Sequence, residues 1–156
     1  MSSRSTSVVV VAALLSGGIA SADMSRTVIS AFTGQFVVSK DELPEGKTDK
    51  DTITKIKGAQ LKELVGNAVS EDNTAWHFHY TAFLTRTGAS ALKLDFLKEG
   101  GALSADKQLS DVDPKRSVLS GDISIDENEG LTKGKSYTIE LLAGTTVVAK
   151  TQVTFK

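Results

Sequence analysis

The chain has 156 residues, which include 18 Lys and Arg, 19 Asp and Glu, two His and no Cys. The lack of cysteine excludes disulfides and thiol nucleophiles, so the core must hold the fold by packing alone. The net charge of −1 comes without a basic stripe, and nucleic acid is therefore not an expected partner. A chain of this length forms about one domain.

The N-terminus has the layout of a secretory signal peptide. Arg4 precedes an apolar run from Val8 to Leu15, a glycine pair follows, and Ala20 and Ala22 occupy the −3 and −1 positions before Asp23. The apolar run is much shorter than the ~20 residues that a membrane-spanning helix needs. The pattern predicts cleavage after Ala22.

Cleavage there divides the chain into two parts. We expect residues 1–22 to be removed as the signal peptide and residues 23–156 to form a single β-sandwich domain. The protein would then be secreted or periplasmic, and it would not span a membrane once the signal peptide is gone. The alternative is that the apolar segment is kept and anchors the protein to a membrane.

The N-terminal part of the domain, residues 23–74, leaves several interpretations open. The stretch from Arg26 to Val38 is rich in Val, Ile and Phe and is interpreted as a first strand, or alternatively as an unpaired edge element for a partner. Further on, Thr48–Val65 fits one helical face loosely, with Thr48 or Asp49 as its cap and Gly58 in its middle. A short helix over Asp49–Lys57 followed by a strand over Gln60–Val65 fits equally well.

Alternation of apolar and polar residues with a period of two predicts strands in the rest of the chain. The turn at Thr87–Ser90 suits a hairpin between the first two strands, and Ala143–Thr145 joins the last two. In the last strand Val147 is placed on the apolar side and Val148 on the polar side. Many short strands between turns are typical of a sandwich or barrel. The predicted strands cover Ala75–Phe83, Ala91–Lys98, Ser117–Asp126, Tyr137–Leu141 and Val147–Phe155, with a short edge strand over Lys107–Val112.

The segment Leu131–Leu141 resembles the corner before strand F in fibronectin type III and related immunoglobulin-like domains. Leu131, Gly134 and Tyr137 follow each other at intervals of three residues and open an alternating strand. In that pattern the glycine permits a tight turn, the tyrosine ring packs in the core, and its hydroxyl bonds to the backbone of the corner. Lys133 stands where the pattern often has proline.

This resemblance implies the fold class but no function. We expect an all-β protein, an immunoglobulin-like or fibronectin III-like antiparallel β-sandwich of about seven strands, with room for one short helix in the N-terminal half. The absence of cysteine means that the disulfide of antibody domains is not part of this chain.

Both histidines lie in the strand predicted for Ala75–Phe83. His77 and His79 are two residues apart, so they project from the same face of the strand. Two imidazoles there form half of a site for Cu²⁺ or Zn²⁺, and the further ligand would be a neighbouring carboxylate such as Asp95 or Glu140, a backbone group, the new amino terminus at Asp23 or water. The pattern favours the other interpretation, in which Trp76, Phe78 and Tyr80 face the core and both histidines face water.

The sequence contains no motif of an enzyme. There is no nucleophile elbow and no phosphate-binding glycine loop, and the acidic stretch Asp126–Gly130 lacks the spacing of an EF-hand and is interpreted as a turn. We therefore expect an exported, non-enzymatic binding or structural module for a protein or a cell-surface polymer, with exposed sheet edges as the first mechanism to consider. The alternative is a secreted or periplasmic copper- or zinc-binding protein that uses His77 and His79. No other cofactor is expected.

Overall fold

The computed structural model describes residues 24–156, so the predicted signal peptide lies outside the described residues. Two α-helices accompany nine β-strands and one 3₁₀ turn in this part of the chain. Neither helix is long and apolar enough to cross a membrane. The elements are α1 Arg26–Phe32, β1 Phe36–Ser39, α2 Asp49–Ala59, β2 Glu63–Leu64, β3 Asn67–Ser70, β4 Asn73–Phe83, β5 Leu92–Leu97, β6 Leu103–Leu109, β7 Val118–Asp126, the 3₁₀ turn Glu127–Glu129, β8 Lys135–Ala143 and β9 Thr146–Phe155.

The strands form two sheets, and the described chain is mostly β, which is consistent with a β-sandwich. In the first sheet β4 is central: β7 pairs along one side, while β1 and β3 share the other side. The second sheet has the order β2–β9–β8–β5–β6. All pairs between these strands are antiparallel except β2 with β9.

The main core lies between the two sheets. From β4 it receives Trp76 and Phe78, both almost fully buried, and from the second sheet it receives Phe96 and Phe155. The Phe155 ring contacts four other aromatic rings edge-on, at centroid distances between 5.4 and 6.4 Å. Because no disulfide links the sheets, this aromatic cluster is a principal connection between them.

A second, smaller core lies on the outer face of the first sheet. The two helices cover one end of that face, and side chains from both meet the strands there. Ser25 caps α1 by accepting a hydrogen bond from the Val28 amide, and Thr48 caps α2 in the same way. The buried residues of this core are Val28, Phe32, Val37, Leu43, Ile56, Phe83 and Val118.

The prediction of a strand from Arg26 onward was wrong in its first half. Residues Arg26–Phe32 form α1, and only Phe36–Ser39 form a strand. The Ser25 cap starts the helix, and Val28 and Phe32, four residues apart, bury on the sheet from one helical face. Residues 24–156 thus contain two helices rather than one, and nine strands rather than the seven or so expected.

The mixed interpretation of the next segment was confirmed: α2 covers Asp49–Ala59 with Thr48 as its cap, and a strand of two residues follows at Glu63–Leu64. The edge strand near residue 107 lies earlier than predicted, at Leu103–Leu109.

Two further predictions for the strands were wrong. The turn after β4 does not close a hairpin, because β4 and β5 belong to different sheets. In β9 a bulge interrupts the pairing, with Leu141 opposite Ala149 and Leu142 opposite Val147. The extra residue, Val148, is therefore buried, while Val147 is 37% exposed.

The corner before β8 has the geometry that the sequence predicted for it. The Tyr137 ring is buried, and its hydroxyl accepts a hydrogen bond of 2.8 Å from the Thr132 amide. Gly134 has a φ of 88° within the turn, which glycine adopts without strain. The tyrosine thus fixes the turn to the strand that follows.

We expect Tyr137→Phe to lower the free energy of unfolding by about 1 kcal/mol, because it removes the bond to Thr132. Tyr80→Phe is the matched control, since no group in residues 24–156 bonds to the Tyr80 hydroxyl. That variant should stay within about 0.5 kcal/mol of the wild type. Urea unfolding of both variants measures the difference, and equal losses would contradict a stabilising role for the corner bond.

Candidate functional site

The two histidines lie side by side on the outer face of β4, beyond the part that the helices cover. His77 is exposed, and its Nδ1 lies 2.5 Å from the Ser124 hydroxyl on β7. His79 is buried, and its Nδ1 lies 3.2 Å from a carboxylate oxygen of Asp122. As expected, Trp76, Phe78 and Tyr80, which alternate with the histidines, face the core.

The expectation that both histidines face water holds for His77 only. The paired part of β1 ends with Ser39 opposite His79, so His79 lies between two strands. His77 lies beyond the end of β1 and keeps its solvent contact. The sequence did not indicate this difference, because it depends on how far a short neighbouring strand extends.

The carboxylates suggested as further metal ligands lie in the other sheet. Asp95 on β5 and Glu140 on β8 are register partners of each other, and Asp95 pairs with Lys93 at 3.2 Å. The carboxylate beside His79 is instead Asp122, which the sequence analysis missed. Over residues 24–156, no three His, Cys, Asp or Glu side chains form a group that could hold a metal ion. Metal binding by His77 and His79 stays a prediction.

The acidic stretch after β7 is a turn whose carboxylates have protein partners. Asp126 and Glu129 form a capping box, each side chain accepting from the backbone amide of the other. Glu129 also pairs with Lys107, and Glu127 accepts a bond from the Thr74 amide at 2.8 Å. These bonds fasten the turn to both sheets and use the oxygens that a calcium ion would need.

A cleft of about 470 Å³ opens where the edges of the two sheets come together, and we call it the β6–β7 cleft. Each of these strands has only one partner strand in the described chain. The end of β6, the connection at residues 110–117 and the start of β7 form its walls. Its volume is within the range of sites for small ligands, about 300–1,000 Å³. The residues that line the cleft include Tyr80, Leu109, Asp111, Asp113, Arg116 and Leu119.

Tyr80 connects this cleft to the core. Its ring stacks on Phe36 with a centroid distance of 5.1 Å and an angle of 7°. The opposite residue on β7 is Gly121, where a Cβ would lie only 3.2 Å from the ring, so glycine leaves the space that Tyr80 uses to reach the edge of the sheet. Tyr80 is 7% exposed, and it lines the cleft.

The Tyr80 hydroxyl lacks a hydrogen bond within residues 24–156, although buried tyrosines usually have one. The protein does not enclose this hydroxyl completely, so it retains access to the cleft. Burial raises the pKa of Tyr80, and the nearby Asp122 carboxylate raises it further. The hydroxyl is therefore protonated at neutral pH and available as a donor.

The raised pKa of Tyr80 predicts a loss of stability at alkaline pH. The folded protein disfavours the phenolate, so the contribution is fully present below the unfolded pKa of about 10 and is lost as the pH rises toward the folded value. We expect the free energy of unfolding to fall more steeply above pH 10 in the wild type than in Tyr80→Phe. Urea unfolding at several pH values measures both slopes, and parallel curves would contradict the expectation.

The rim of the cleft is polar and carries both signs of charge. Arg116 is exposed, and its guanidinium forms no ion pair in the described chain. Asp111 has a φ of 60°, a left-handed conformation that aspartate tolerates better than most residues. One oxygen of Asp113 accepts a bond from the Lys115 amide at 3.0 Å, which stabilises the turn. The cleft can thus offer donors and acceptors over a partly apolar floor.

Comparisons with known proteins do not assign the chain to a family. No protein-family model matches it, and a search of curated proteins finds no match in sequence. The side chains of the cleft and of the histidine pair are therefore the basis for a functional proposal.

Proposed function

We propose that the protein is an exported, non-enzymatic binding module with an immunoglobulin-like, fibronectin III-like domain, and that its partner is a protein or a cell-surface polymer. The proposal of export, to the periplasm or the medium, rests on the sequence pattern of residues 1–22. The proposed binding surface is the β6–β7 cleft.

Strand order supports the proposed type of sandwich. In the first sheet β4 lies between β1 and β7, and the second sheet contains β9–β8–β5–β6 in that order. From β4 onward the chain changes sheet between β4 and β5, between β6 and β7, and again between β7 and β8, as in Greek-key sandwiches. The bond between Tyr137 and Thr132 supports it as well.

The single observation that supports binding in the cleft is the Tyr80 hydroxyl. A hydroxyl that is taken largely out of water without a hydrogen bond costs free energy. A partner that accepts a bond from Tyr80 would recover that cost. Nothing in the stability of the fold requires a hydroxyl here, because the ring alone makes the contact with Phe36.

Co-sedimentation tests the proposal. The purified protein is mixed with insoluble envelope material from the cells that produce it, either untreated or digested with protease. Gln108→Arg places a larger side chain in the lining of the cleft in order to block it. Gln152→Arg makes the same substitution at an exposed position of β9 and is the matched control. We expect about tenfold weaker sedimentation for Gln108→Arg and no change for Gln152→Arg.

The two treatments separate the classes of partner. Binding that survives protease indicates a polymer, and binding that protease removes indicates a protein. Equal sedimentation of the two variants would contradict the cleft as the binding surface, and no sedimentation of the wild type would contradict the module itself.

The second proposal is binding of Cu²⁺ or Zn²⁺ by His77 and His79. The observation in its favour is that both rings contact β7 through Nδ1, so that Nε2 is the nitrogen left for a metal, and one of the Nδ1 partners is a carboxylate. Histidine ligands in metal sites are usually oriented in this way. The two rings would supply only two ligands, and water or a partner molecule would complete the coordination.

Calorimetric titration with Cu²⁺ and Zn²⁺ tests this second proposal. The proposal expects the wild type to bind one of these metals stoichiometrically with submicromolar affinity, and the double variant His77→Ala/His79→Ala to lose that binding. This result would make metal binding the leading function. Weak binding, or binding that the double variant retains, would contradict it.

A further inference from the structure

We propose that the β6–β7 cleft binds an uncharged polysaccharide, that is, a neutral chain rich in hydroxyl groups. This inference rests on the proposed binding function and names the chemical class of the partner at the same site. Three properties of the cleft carry it: its mixture of donors and acceptors, its charges and its extension toward α1.

The polar groups of the cleft include both donors and acceptors of hydrogen bonds. The Tyr80 hydroxyl and the Arg116 guanidinium are hydrogen-bond donors, and neither donates to an acceptor in the described chain. The carboxylates of Asp111 and Asp113 accept, and only one of their oxygens, on Asp113, has a bond within residues 24–156. A sugar hydroxyl both donates and accepts, so neighbouring hydroxyls of one sugar can satisfy both kinds of group.

The charges around the cleft disfavour an ionised ligand. Asp111 and Asp113 on the wall, together with Asp122 near Tyr80, repel a carboxylate or a phosphate, while Arg116, and Lys115 in the adjoining depression, repel a cation. A purely apolar ligand would cover Tyr80 and Arg116 without bonding to them, which is costly. An uncharged ligand with many hydroxyl groups avoids both costs. The apolar floor, which includes Leu109 and Leu119, can contact the C–H face of a sugar ring.

The cleft continues past Arg116, which favours a chain over a single sugar. A second depression of about 300 Å³ extends from β7 to Met24 and Ile29 beside α1. The two depressions share Asp113, Arg116 and Val118. A ligand of several linked units would occupy both of them, whereas a single sugar would use only part of this surface.

A glycan array carrying neutral and acidic oligosaccharides of six or more units tests the proposal, and calorimetry with the best neutral oligosaccharide follows. Tyr80→Phe should weaken binding about three- to tenfold, as expected for one lost hydrogen bond, and Arg116→Gln about tenfold. The control Gln152→Ala changes an exposed side chain on β9, outside the cleft, and should leave the affinity unchanged. Circular dichroism and urea unfolding establish that each variant is folded.

Several results would overturn the proposal. The first is that no neutral oligosaccharide on the array binds. The second is that acidic oligosaccharides bind more tightly than neutral ones. The third is that a neutral oligosaccharide binds but neither Tyr80→Phe nor Arg116→Gln weakens its binding. If a library of extended nonapeptides binds and the glycans do not, the partner is a protein. In that case, sedimentation that depends on the cleft and is abolished by protease would still support the binding function. Only the proposed class of ligand, a neutral polysaccharide, would be wrong.

Discussion

Replacement of Phe155 by alanine is expected to lower the free energy of unfolding by about 3–5 kcal/mol, the range for loss of a large buried ring. The ring is fully buried at the end of β9 and contacts Trp76 and Phe78 from the first sheet and Phe96 and Tyr137 from the second. Its loss would leave a cavity between the sheets, where no disulfide limits their separation. Since domains of this size are stable by only about 5–15 kcal/mol, the variant should be close to unfolding.

Urea unfolding followed by tryptophan fluorescence measures this effect, because Trp76 is the only tryptophan and its ring lies 5.4 Å from Phe155. Phe155→Leu keeps part of the volume and should fall between the wild type and the alanine variant. Val147→Ala on the same strand is the control, since Val147 is partly exposed, and should cost less than about 1 kcal/mol. Similar losses for Phe155→Ala and Val147→Ala would contradict the central position of this ring.

The second large effect is expected from Gly130→Ala, at about 2–6 kcal/mol. Gly130 ends the 3₁₀ turn with a φ of 121°, and a Cβ there would lie 2.1 Å from the carbonyl oxygen of Ser104 on β6. The backbone conformation costs about 1–3 kcal/mol for a residue other than glycine, and the forced displacement of β6 adds about 1–3 kcal/mol. The Ser104 hydroxyl bonds to the Gly130 carbonyl oxygen at 2.5 Å, so the displacement would also strain this link between the sheets.

Gly88→Ala separates the two causes. Gly88 has a similar φ of 107°, but nothing lies within 4 Å of the position that its Cβ would take. It should therefore show only the backbone cost, about 1–3 kcal/mol. Thermal unfolding of the two variants gives the comparison. If Gly130→Ala were no more destabilising than Gly88→Ala, the close contact with β6 would not limit the fold.

Tyr80 and Tyr137 show why stability and binding can be tested separately in this protein. Both rings are buried, but only the Tyr137 hydroxyl has a partner within residues 24–156. Removal of the Tyr137 hydroxyl should therefore change stability, and removal of the Tyr80 hydroxyl should change ligand binding. A largely buried polar group without a hydrogen-bond partner in the fold is a candidate for a functional one.

Local pattern was sufficient to predict most of the strands. In most of the strands from Trp76 onward, apolar and polar residues alternate along the sequence, and this period of two is a property of the strand itself. The N-cap of α2 was predictable for a similar reason, since Thr48 and the Asp51 amide are three positions apart, and the bond that the fibronectin III-like resemblance implied at Tyr137 spans five positions. Such interactions are visible in the sequence because they are short in range.

The sequence alone did not determine which strands share a sheet. The turn after β4 has the residues of a hairpin, yet β5 pairs with β6 and β8, and β4 pairs with β1, β3 and β7. The helical state of Arg26–Phe32 also depends on a distant surface, the outer face of the first sheet on which Phe32 buries. A short apolar segment adopts the conformation that gives its side chains a place in the core.

The candidate site likewise has features that the sequence predicted and features that only the tertiary structure decided. The position of His77 and His79 on one face followed from the period of the strand, and so did the inward direction of Tyr80. The partners Ser124 and Asp122, the burial of His79 and the β6–β7 cleft were decided by the tertiary structure. Residues about forty positions apart meet there because two antiparallel strands set their register over nine residue pairs, and register depends on the fit of the whole sheet.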